Sequence, residues 1–112
     1  MDMIELYTRI LRELNEAVER MTSAEFDRLL RGATVEERQR AARQLLEVER
    51  ARLVLGNAVL ANIAQELKKN EKAFEKGIES LDAALERLDN VAKVLNTVSK
   101  VVSLVGRVVS LL

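Results

Sequence analysis

The residues with the most chemical potential are carboxylates at helical spacing. Glu13, Glu16 and Glu19 recur every three residues, and Glu75, Glu79, Asp82 and Glu86 recur at four, three and four. Ladders of this kind on two facing helices can hold a pair of metal ions. That arrangement ordinarily adds a His three residues after a Glu, and the chain contains no His. Arg and Lys stand beside these acids throughout, so the expected state is a solvated, ion-paired face. Lack of His and Cys also rules out disulfides, thiol or imidazole metal sites and Ser–His or Cys–His nucleophiles. No glycine-rich loop accompanies the acids, and a catalytic carboxylate pair is therefore not expected. The reading is a non-enzymatic protein with no catalytic residue, no metal ligand and no cofactor.

Arg38, Arg40, Arg43, Arg50 and Arg52 form a basic run, but Glu36, Glu37, Glu47 and Glu49 interleave with it. Only Tyr7, Phe26 and Phe74 are aromatic, too few for a stacking platform, so nucleic acid is not an expected partner. Glu49 falls in an otherwise apolar seam and is expected near a bundle edge or paired with an Arg. Asn57 and Asn62 are expected to face solvent or to make one interhelical hydrogen bond.

A different pattern marks residues 91–112. Here there is no acid, and the charges are Lys93, Lys100 and Arg107, spaced at seven. The segment therefore carries +3 and, because the whole chain is neutral, the remainder carries −3. At about 100° per residue, Val98, Val102, Val105, Val109 and Leu112 align on one apolar face opposite those cations. Leu104 and Leu111 stray toward the polar side. A face this apolar needs a cover of protein or lipid.

These features must be carried by helices. The chain has 112 residues, no Pro and four Gly, a composition that predicts an all-α fold in a single domain spanning 1–112. Asp2 is a candidate N-cap. Ile4, Tyr7, Leu11, Leu14, Val18 and Met21 then recur at threes and fours. Thr22 with Glu25 and Thr34 with Glu37 have the capping-box spacing, and Gly32 between them suits a left-handed helix stop. A second seam is predicted through Ala42, Leu46, Glu49, Leu53, Gly56, Leu60, Ile63 and Leu67 without interruption. Asn70 offers the one candidate turn in the second half. From there Phe74, Ile78, Leu81, Leu85 and Leu88 lead into the apolar tail.

The expected architecture is three long antiparallel helices, the first broken near residues 22 and 32, packed as a coiled-coil-like bundle. A straight last helix would span roughly 60 Å at 1.5 Å per residue and overhang its partners. The expected function is a self-assembling structural or adaptor protein working through helix–helix contacts, as a homo-oligomer or with a helical partner. Val98, Val102, Val105, Val109 and Leu112 are the predicted contact residues. On this reading Val102→Asp with Val105→Asp abolishes association and leaves helicity. The alternative is an interfacial or pore-forming protein that sets Lys93, Lys100 and Arg107 against an anionic membrane surface. No apolar run precedes Asp2 and Glu5, so no signal peptide is expected; the default location is cytoplasmic, with membrane association under the alternative.

Overall fold

A computed structural model describes residues 2–111, and those residues form six α-helices with no strand among them. They are α1 (Met3–Met21), α2 (Ala24–Arg31), α3 (Val35–Gly56), α4 (Leu60–Lys69), α5 (Glu71–Arg87) and α6 (Val91–Val108). The all-α class stands, but three long helices do not. The molecule measures 44 × 26 × 18 Å, too short for a 60 Å rod.

Capping chemistry sets the first half. The Asp2 carboxylate accepts from the Ile4 and Glu5 N–H groups at 2.8 and 3.3 Å. Ser23 Oγ accepts from Phe26 N–H and opens α2, while the Thr22 hydroxyl donates back to the Val18 carbonyl. Ser23, one residue after the expected Thr22, is thus the cap. Thr34 and Glu37 form a full capping box, each side chain accepting from the other's N–H at 3.1 Å. Gly32 ends α2 with φ −91°, so its backbone is not left-handed as anticipated.

Two breaks depart from the expected course. The first lies at Asn57 to Val59, where α3 stops and α4 begins. Tyr7 Oη, from α1, donates to the Leu55 and Gly56 carbonyls at 2.8 and 3.2 Å. These carbonyls lie at the helix end, where Ala58 N–H also reaches the Leu55 carbonyl at 3.1 Å, and a side chain 48 residues away adds a further donor. Tyr7→Phe should therefore cost about 1 kcal/mol in chemical denaturation, with helicity unchanged. The second break is Leu88, whose φ of 46° and ψ of 44° place it in the left-handed region. Its side chain is buried, which offsets the strain. Asn90 then accepts from Lys93 N–H at 3.1 Å and caps α6. The chain folds back here, so α6 lies along α5 instead of overhanging it. The expected turn at Asn70 is a one-residue interruption between α4 and α5.

The helices pack as a ring in which α1 touches α3, α3 touches α6, α6 touches α5 and α5 returns to α1; α4 also touches α1, α5 and α6. One apolar core joins all six, with α6 contributing eight buried residues.

Candidate functional site

Helix α3 is apolar on two opposite faces. Ala41, Gln44, Val48, Ala51 and Leu55 point into the ring and are buried. At 100° per residue, Val35, Ala42, Leu46 and Leu53 lie within about 40° of one another on the far side. Leu46 is 69% and Leu53 64% exposed, and Val35 is exposed as well. The seam predicted through Ala42, Leu46 and Leu53 is therefore the outer face. Ala41, Val48 and Ala51 keep the inner face slim toward α1 and α6, with Gln44 and Leu55 also buried there, while Leu46 and Leu53 remain in water. Glu49 borders this outer stripe, half-buried, and Arg52 bonds Asn15 of α1 at 3.1 Å. Asn57 and Asn62 are exposed.

The C-terminal residues fall elsewhere. Val98, Val102 and Val105 are buried among the chain's own helices, Val109 is half-buried, and Leu112 lies outside the described residues. The chain itself covers this face, because the turn at Leu88 brings α6 back over α5. Leu104 is explained by Gly77. A Cβ on Gly77 would meet Leu104 Cδ1 and Val101 Cγ2 at 3.4 Å, so glycine lets α5 come close enough to cover Leu104.

Of the three tail cations, Lys100 and Arg107 line a groove of about 530 Å³ between α5 and α6, and Lys93 stands outside it. Lys76, from α5, joins them. Ser80, Ser99 and Ser103 add hydroxyls, and Ala73, Gly77 and Leu104 are its apolar lining. No carboxylate lines this groove. Sequence spacing could not reveal Lys76 as a neighbour of Lys100, because that proximity needs the α5–α6 reversal.

Two buried polar groups were not legible as such. Glu13, expected on a solvated face, is 7% exposed, and its Oε1 has no hydrogen-bond partner. Burial, then the nearby Asp82 and Glu16 charges, push its pKa from 4.5 to about 7, with Arg9 opposing. Gln44 is likewise buried with an unpartnered Oε1. Glu16 behaves as expected, paired to Arg20 at 3.2 Å. Among the described residues no group of three or more acids could hold a metal ion, and no helix is long and apolar enough to cross a membrane.

These features define an all-α protein with two distinctive surfaces, an apolar stripe on α3 and a cationic groove between α5 and α6. Comparison with protein-family models, curated proteins and solved structures gives no match.

Proposed function

We infer that this is a non-enzymatic helical protein that self-associates through the outer face of α3. The observation that carries the reading is the inversion of that helix, with alanines turned inward and Leu46 and Leu53 turned to solvent. Two such stripes cover each other at little conformational cost, since both belong to preformed helices.

Size matching along the stripe favours a second copy of α3 running antiparallel. In an antiparallel pair of α3 helices about a two-fold axis near residue 44, Leu53 meets Val35 of the second copy and Leu46 meets its Ala42. The same register sets Glu36 against Arg50 twice by symmetry and Gln39 against Glu49, while Arg43 faces its own copy near the axis and Arg38 faces Arg52. Parallel pairing sets Glu49 against Glu49 and Arg38 beside Arg43, which opposes it. No described ion pair within the chain occupies Glu36 or Arg50.

The expected light-scattering mass is that of a dimer. Leu46→Asp should give a monomer of undiminished helicity, because the site is open to water in the isolated fold. Glu36→Arg and Arg50→Glu should each weaken the dimer, and the two changes in one chain should restore it. A parent protein that stays monomeric at high concentration, or a charge swap that fails to restore pairing, defeats this reading.

The same light-scattering measurement repeated with anionic vesicles addresses a membrane role. That role has less support, since the apolar face of α6 is already covered by α3 and α5.

A further inference from the structure

The α5–α6 groove has a composition that the α3 contact does not use. Its register follows from Gly77, which lies against Val101 and Leu104 in an antiparallel pair. Ser80 is then level with Ser99 at one end, Lys76 with Ser103 at the middle, and Ala73 with Arg107 at the other end. Cations thus line both walls of one groove.

Among the described residues none of the groove's cations has an ion-pair partner. Lys76, Lys100 and Arg107 are exposed and take part in none of the described ion pairs. Acids three or four residues away on the helix are the usual partners, yet Lys100 and Arg107 have none, since α6 carries no acid. Three cations and three hydroxyls around one space suit a group with several anionic oxygens. The apolar lining at Ala73, Gly77 and Leu104 suits a hydrocarbon chain. The volume is within the range of small-ligand sites.

We propose that this groove binds one molecule of a phosphate-headed, single-chain lipid. The phosphate sits among Lys76, Lys100 and Arg107, with the chain along Ala73, Gly77 and Leu104. A single lipid fits better than a bilayer surface for a geometric reason. The cations line opposing walls rather than one plane, and α6 has no free apolar face to insert.

The test is calorimetric titration of the full chain with octyl phosphate kept below its micelle concentration. Inorganic phosphate and octyl glucoside are titrated in parallel, and a sedimentation assay uses vesicles of anionic phospholipid. The expected result is saturable one-to-one binding of octyl phosphate, at least about tenfold tighter than inorganic phosphate because the chain adds buried apolar area. Octyl glucoside should not bind. Lys100→Glu with Arg107→Glu should weaken octyl phosphate by more than about tenfold while circular dichroism stays that of the parent. Lys93→Glu, outside the groove, should leave the affinity unchanged.

Equal affinity for inorganic and octyl phosphate would overturn the lipid assignment and leave a simple anion site. Binding to vesicles without binding to the monomeric amphiphile would overturn it in favour of a membrane surface. Octyl phosphate binding that survives the double charge reversal would place the ligand elsewhere and sink the proposal. So would no binding at all.

Discussion

Val102→Asp combined with Val105→Asp should unfold this protein rather than dissociate an oligomer. Val105 is 0% exposed and Val102 is buried, both in the ring between α3, α5 and α6. Ionised carboxylates there cost several kcal/mol each, and the lost valine packing adds to that, for a total on the order of 10 kcal/mol. A domain of this size has roughly 5–15 kcal/mol in all. Circular dichroism should show loss of most helix at neutral pH, and the thermal transition should disappear. Retained helicity with a smaller solution mass would mean that α6 faces a partner instead of this core. Leu46→Asp is the internal contrast: the same charge at a solvated helix position should change stability by no more than about 0.5 kcal/mol.

Stability should fall as pH rises from about 4.5 to 7, and Glu13 is the cause. In the fold its pKa is raised to about 7 by burial and by Asp82 and Glu16, against 4.5 as the ordinary value. Below 4.5 both folded and unfolded chains hold the proton, and the contribution is fully present. Between the two values the unfolded chain releases its proton while the fold retains it, so stability declines. Above about 7 both states are ionised and the contribution is gone. The shift corresponds to about 3 kcal/mol at most, and screening around a carboxyl with Arg9 nearby brings the expected effect to about 2 kcal/mol. Glu13→Gln keeps the shape and removes the titration. Denaturation curves at pH 5 and pH 8 should therefore show the variant gaining about 2 kcal/mol on the parent at the higher pH. Parallel pH profiles for the two proteins would show that Glu13 is solvated. Glu13→Met should gain still more at pH 8, because it also removes an unpartnered buried oxygen.

Local chemistry made the helix starts readable. Asp2, Ser23, Thr34 and Asn90 each cap a helix by accepting from an N–H two or three residues on, an interaction that needs nothing from the rest of the fold. Asn90 carried this signal too, but the apolar periodicity running across it masked the break. The stop at Leu88 had no signal at all. A leucine holds the left-handed conformation there only because its side chain is buried by the packed bundle. The end of α3 is similar, since Tyr7 of another helix adds a donor to its last carbonyls.

Face assignment failed where a helix has two apolar faces. Periodicity finds apolar stripes, and in α3 the stronger one, through Leu46 and Leu53, is turned outward. Close packing decides the matter. In the four-helix ring α3 turns Ala41, Val48, Ala51 and Leu55 toward its neighbours and leaves Leu46 and Leu53 outside. The same ring places Glu13 beside Asp82 and hides it from water, although its neighbours in sequence are the acids and bases of a solvated face.

The sequence by itself therefore determined the class, the first three helix starts and the absence of His and Cys chemistry, because propensity, capping and composition act within a few residues. Only the tertiary structure decided that α6 folds back into the core, that α3 keeps an apolar face in water, and that Lys76 meets Lys100 and Arg107 across one groove. Each of these depends on which helices touch, and contact between residues far apart in sequence is set by packing, which local periodicity does not encode.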